Sequence, residues 1–335
     1  MPSTPSTQPS SSPSSRKFGW LAAAIVAGCV LWSVGWFLVA AKIEDHLPET
    51  LARITGTDAK AGCENPEVRG YPFRFGVFCQ TLTYANAKDG VTAISGALRS
   101  AAQFYRPGHV VAEIDGPLAI TAPGLDARLD WQVLQASVNA DPHGVSRGSL
   151  DGRKMSFDID GAGLTHKLAM QAARITAHGR KNGPDLDVVI QGEGLQNSFS
   201  AGLTAKALTM EATLPGQAGL LDAPYTAVSA PFEIRFHRLA VELDDTSSLK
   251  VSGPVQIAAD RRISGALDVT VRNQQRIIEL AATMNPELSS LINRLAPMIE
   301  TLDTRPDEDG ITLSLTIRNN RVSLGMFPLG QLPDF

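Results

Sequence analysis

The sequence predicts a mainly β (α+β) fold: one N-terminal transmembrane helix, then a large antiparallel β groove or sandwich with a late helical segment and a C-terminal hairpin. Three observations predict it. An uncharged apolar run covers Phe18 to Ala41. Beyond it, apolar and polar residues alternate with period two in segment after segment, each bounded by turn residues. Near the end, one segment returns to helical spacing.

Taking the elements in order, residues 2–15 are nearly all Ser, Pro, Thr and Gln. Such a segment buries too little apolar surface to offset its ordering entropy, so residues 1–17 read as a disordered tail. The run that follows, 18–41, would span roughly 33–36 Å as a helix, against about 30 Å of bilayer hydrocarbon. Trp20 and Trp36 suit the two interfaces, whereas Trp32 lies deeper. A cleaved signal peptide is the rival reading, with Val39-Ala40-Ala41 as a small-residue cleavage site. The length of the run, beyond the usual h-region, favours an uncleaved anchor. Arg16 and Lys17 precede the helix and Lys42, Glu44 and Asp45 follow it, so the positive-inside rule places the N-terminus in the cytoplasm and the rest across the inner membrane, in the periplasm.

Residues 42–62 read as a juxtamembrane helix and linker that ends near Gly56, and residues 63–335 as the β-rich domain. Tyr71, Phe73, Phe75 and Val77 fall on one face of a first strand, with Pro72 marking an edge or a strand start. Leu125, Ala127, Leu129, Trp131 and Val133 share a face, and Leu150 to Ile159 is strand-like. Leu186, Val188 and Ile190 alternate, as do Ile234 and Phe236, Leu239 to Leu243, and Leu267 to Val271. Pro123-Gly124, Asp141 to Gly144, Asn182 to Pro184 and Pro215-Gly216 supply turns. Asp115 to Ile120 resembles Ser252 to Ile257, either a duplicated β unit or a chance recurrence of a common turn. Asn273 caps a turn running to about Thr283. Asn285-Pro286 then starts a helix whose apolar stripe runs from Leu288 to Leu302, kinked at Pro297. A hairpin closes the chain: Ile311 to Ile317, a turn at Asn319-Asn320, then Val322, Leu324 and Met326.

Composition narrows the chemistry. The net charge of −4 gives no basic surplus for nucleic acid. Of three cysteines, Cys29 lies in the apolar helix. Cys63 and Cys79 suit one disulfide in an oxidising compartment. Free thiols or a metal pair are the alternatives, but no Cys-x-x-Cys spacing and no intervening His support a metal. The histidines are scattered without zincin spacing. Gly144-Val145-Ser146-Arg147-Gly148 matches the nucleophile-elbow pattern, but a turn precedes it and a strand follows, where the elbow needs strand, turn and helix. Gly192-Glu193-Gly194 reads as a turn, and Asp303, Asp307, Glu308 and Asp309 as a solvated acidic loop. No catalytic, cofactor or metal site is expected, and the chain reads as a non-enzyme.

Cys63, then Arg69-Gly70-Tyr71-Pro72-Phe73-Arg74-Phe75, then Cys79, directly after a membrane anchor, resembles the bacterial uncharacterised family catalogued as domain of unknown function 2125. Asn320 to Gly325, Pro328-Leu329-Gly330 and Leu332-Pro333 add to the resemblance, which covers about residues 42–335. It implies an exported protein of alphaproteobacterial type, with Gly70, Tyr71, Pro72 and Phe73 as its most specific motif, and it carries over no activity. Three functions compete. The first is a non-catalytic β scaffold binding lipid or another apolar ligand. The second is an envelope interaction or assembly factor with protein partners, and the third is a serine hydrolase using Ser146.

Overall fold

The computed structural model describes residues 14–161, 167–197, 204–222, 230–277 and 310–332. The cap at Asn285-Pro286, the Leu288–Leu302 stripe with Pro297, and the acidic loop 303–309 lie outside them. The chain is mostly β, with a large antiparallel sheet behind one apolar N-terminal helix.

Helix α1, Ser14–Thr55, is 42 residues long and ends where Gly56 turns to φ +76°. At 1.5 Å per residue it measures roughly 63 Å, about twice the bilayer hydrocarbon. The apolar run and the segment after it are therefore one continuous helix, with Pro48 inside it. Ser14 to Lys17, expected in the tail, are already helical.

The strands follow as β1 (Ala59–Cys63), β2 (Glu67–Arg69), β3 (Arg74–Cys79), β4 (Leu82–Asn86), β5 (Val91–Ser95), β6 (Leu98–Gln103), β7 (Arg106–Ile114), β8 (Leu118–Ala122), β9 (Leu125–Asp130) and β10 (Val133–Asp141). Longer strands come next: β11 (Gly144–Gly161), β12 (Leu168–Asn182), β13 (Asp185–Asn197) and β14 (Thr204–Leu214). After a 3-10 turn at Ala218–Leu221 come β15 (Phe232–Glu242), β16 (Ser248–Ile257), β17 (Ile263–Arg272), β18 (Ile311–Arg318), β19 (Arg321–Leu324) and β20 (Phe327–Gln331).

From β11 to β20 each strand pairs antiparallel with the next. On its other side β11 forks the sheet. Its first half pairs with β10, leading through β7, β6 and β3 to β2. Its second half pairs with β9, leading through β8, β5 and β4 to β1. The Cys63–Cys79 disulfide ties β1 to β3, and so one branch to the other, across a Cα separation of 5.2 Å.

The fork has a local cause. Lys154 takes φ +49° in the middle of β11, and Gly194 takes φ +60° in β13. A left-handed residue inside a strand breaks the two-residue alternation. Met155 therefore returns to the face of Gly152, its Sδ crowding the place a Gly152 Cβ would take; likewise Leu195 lies 3.4 Å from a Gly192 Cβ. Trp131, Met155 and Ala172 form the buried cluster there, with Ile114, Leu134, Ile175 and Leu195 packed around it.

Several sequence expectations change. The run Leu125 to Val133 is two strands, because Trp131 leaves the ladder to bury its indole and donate Nε1–H to the Ile114 carbonyl at 2.7 Å. Gly192-Glu193-Gly194 lies inside β13, where Gly194 takes a positive φ without shifting the register to either neighbour, and is not a turn. Asp115–Ile120 joins β7 to β8, whereas Ser252–Ile257 lies within β16, so the two similar segments do different work. Asn273 starts only a short helical turn at 274–277 within the described residues. Met326 lies past β19 in an exposed turn.

Candidate functional site: an apolar sheet face and a docked helix

Antiparallel registry sorts side chains into rows. One row runs Ala112, Ala136, Leu150, Ala177, Ile190, Met210, Leu239, Val251, Val269 and Leu313, from β7 through β10 and on to β18. All ten are apolar, and each is half-buried. A flanking row on the same face runs Leu134, Gly152, Ile175, Gly192, Leu208, Val241, Leu249, Val271 and Ile311. On the other flank lie Val110, Val138, Gly148, Gly179, Val188, Ala212 and Phe236. With strands about 4.8 Å apart, this face extends roughly 43 Å.

The opposite face is polar at every position of the matching row but one: Glu113, Gln135, Asp151, Thr176, Gln191, Thr209, the buried Ala240, Lys250, Thr270 and Thr312. Hydrogen bonds join its members. Arg99 donates to Asp115 at 2.8 Å and to Glu113 at 2.8 Å, and Gln135 donates to Glu113 at 2.9 Å. The Gln135 amide first, and then Arg99, hold the Glu113 carboxyl below its ordinary range. Arg174 and then Arg153 do the same for Asp151 against the opposing effect of desolvation. This side carries a trough of about 710 Å³ lined by Arg99, Glu113, Gln135, Asp151, Arg174 and His178 among others.

The 3-10 turn closes one end of the apolar face. Leu221 packs over Gly179, and Leu186 is buried nearby. Asp222 fastens the turn: it accepts from the Val145 amide at 2.9 Å and from Lys181 Nζ at 2.7 Å, and Lys181 first, then that amide, lower its pKa.

A second assembly holds the helix. Trp32, Trp36, Ala40 and Glu44 recur every four residues, which places them on one side of α1. That side meets the loop Gly70–Phe73 and the start of β3. Trp36 is 5% exposed, stacks on Phe75 at 5.2 Å and donates Nε1–H to the Arg74 carbonyl at 3.1 Å. Trp32 donates to the Pro72 carbonyl at 3.1 Å, Ser33 and Tyr71 share a hydrogen bond of 2.7 Å, and Glu44 accepts from the Val68 amide at 2.6 Å. Trp36 is thus packed against protein rather than placed in a lipid-facing belt.

The expected site residues fall as follows. Cys63 and Cys79 are bridged, and Cys29 is free and exposed on α1. Tyr71 and Phe73 do not continue β3; with Gly70 at φ +115° and a cis Tyr71-Pro72 bond they form the loop that receives the helix. Ser146 lies within β11 and donates to the Asn139 carbonyl at 3.0 Å, so no strand–turn–helix elbow forms around it. The apolar face could be read from strand alternation in the sequence, whereas the docking side of α1 was hidden in a run that is apolar all round.

Residues 36–333 match the family model described as an uncharacterized protein conserved in bacteria, domain of unknown function 2125. No curated protein and no solved structure matches the chain. The match takes in Trp36, the Cys63–Cys79 bracket with Gly70-Tyr71-Pro72-Phe73 inside it, and the whole β sheet. The chain therefore belongs to the bacterial family of domain of unknown function 2125.

Proposed function

We propose that the protein is a single-pass inner-membrane protein whose β domain lies in the periplasm and holds a lipid acyl chain, or a similar apolar ligand, along the apolar sheet face. It acts as a scaffold rather than as a catalyst. The observation that carries the reading is the ten-strand apolar row from Ala112 to Leu313, half-buried throughout. Covering such a surface with a hydrocarbon chain gains about 0.8 kcal/mol per buried methylene. The Arg16-Lys17 flank of the span supports the orientation, and the disulfide suits an oxidising compartment.

Binding of a fluorescent acyl-chain phospholipid to the purified full-length protein tests the reading. Met210→Glu puts a charge in mid-row and is expected to weaken binding about tenfold, or about 1.4 kcal/mol. Thr209→Glu, one residue away on the polar face, leaves binding unchanged. Equal binding by both variants would refute a ligand on this face.

A further inference from the structure

The loop Gly70–Phe73 and the β6–β7 turn at Phe104-Tyr105 lie side by side at one tip of the sheet. The Phe104 amide donates to the Phe73 carbonyl at 3.2 Å, and the two rings are 6.3 Å apart. Tyr71, Phe73 and Tyr105 are 50%, 60% and 62% exposed, an aromatic cluster that water would solvate poorly. Its position along α1 is fixed by contacts. Phe104 meets Trp32 at 4.9 Å between ring centroids, and Tyr71 meets Trp36 at 5.6 Å. Trp36 and Trp32 lie five and nine residues before Ala41, the last residue of the uncharged run, or roughly 8 and 14 Å back along the helix. The cluster is therefore level with the apolar span and not with the stalk beyond it.

The loop backbone agrees. Non-helical backbone at membrane depth needs its polar groups satisfied by protein. Pro72 has no N–H to satisfy. The carbonyls of Gly70, Pro72, Phe73 and Arg74 accept from Arg74 N, Trp32 Nε1, Phe104 N and Trp36 Nε1 in turn. Behind the rings, Arg74 and Arg106 are both register neighbours of Gln103. Both are exposed, and no ion pair among the described residues involves either of them.

We propose that these two loops form an aromatic foot that enters the membrane leaflet on the β domain's side, beside α1, with Arg74 and Arg106 at the level of the lipid phosphates. Tyrosine and tryptophan favour that interface, and arginine reaches its phosphates. The foot would set the height and tilt of the sheet over the bilayer. It rests on α1 being a membrane span and is independent of what the apolar face binds.

The test uses the full chain in nanodiscs of phosphatidylcholine and phosphatidylglycerol. A nitrobenzoxadiazole label is placed at Tyr105→Cys or Asp245→Cys, each in a Cys29→Ala background, and at native Cys29 as a depth marker. Asp245 lies in the turn at the other end of the strands. The expected result is that shallow doxyl lipid quenches the label at 105 about twofold or more, while iodide quenches only the label at 245. A label at Phe73→Cys repeats the reading through the second loop, should the first variant fold poorly. If Cys29 is lipid-shielded but 105 and 73 respond to iodide as 245 does, the foot is refuted and the span stands. If Cys29 also responds to iodide, the span and the foot fall together.

Discussion

At the scale of single residues, a few side chains do work that no neighbour could take over. Trp36 fills the seam between α1 and the sheet, so Trp36→Ala should cost about 3–4 kcal/mol, read as a lower midpoint of chemical unfolding in detergent micelles. Asn320, 2% exposed, exchanges two hydrogen bonds with Ile263: its Oδ1 accepts at 2.7 Å and its N–H donates at 2.9 Å. Asn320→Ala leaves the Ile263 amide without its side-chain partner and should destabilise by about 1–3 kcal/mol. The turn at Asn319-Asn320 was legible from sequence, since both residues tolerate the positive φ it requires. Its tie to β17 was not, because nothing local to the Asn pair marks a partner fifty-seven residues away. Asp244 makes a pH prediction. The Thr246 amide and then the Thr246 hydroxyl hold its carboxyl down at about 2. Its unfolded value is near 3.9, so its contribution is complete above about pH 4 and is lost as pH falls toward about 2. Asp244→Asn should therefore flatten the acid limb of the stability–pH curve measured by denaturant titration, and leave the slope at neutral pH unchanged.

Among the elements, the β11 fork governs the architecture. Lys154 and Gly194 put left-handed residues into β11 and β13, the long strands on either side of β12, and that lets Met155 and Leu195 rejoin the apolar face. Gly194→Val should cost about 1–3 kcal/mol, since a Cβ there meets the Ala173 Cβ at 3.0 Å in a backbone region that β-branched residues avoid. The sequence hid this bend. Gly192-Glu193-Gly194 carries a turn's composition, and only the pairing of β13 on both sides reveals a strand that bends without ending. The alternating runs themselves were readable, because a half-exposed antiparallel sheet imposes period two on its sequence. Where a side chain must leave the ladder, as Trp131 does between β9 and β10, periodicity ran on and concealed the break. The disulfide joins the branches that diverge from the fork. Its loss in Cys63→Ser with Cys79→Ser should cost about 3 kcal/mol, measured by thermal unfolding without reductant.

For the molecule as a whole, the 42-residue α1 and its docked loop fix the sheet beside the apolar run, and in the proposed single-pass arrangement the apolar face lies within reach of the bilayer. The long apolar helix was legible from hydropathy alone. Its docking was not, since tryptophans in a span usually mark interfaces, and here the Trp36 indole serves the protein instead. The claim that the apolar face carries lipid is tested most directly by photo-crosslinking in living cells. Benzoylphenylalanine at Ile190 points into the apolar row, and at Gln191, the next residue, it points to the polar side. The account predicts a phospholipid adduct at 190 and none at 191. Protein adducts alone at 190, or equal lipid adducts at both positions, would contradict it.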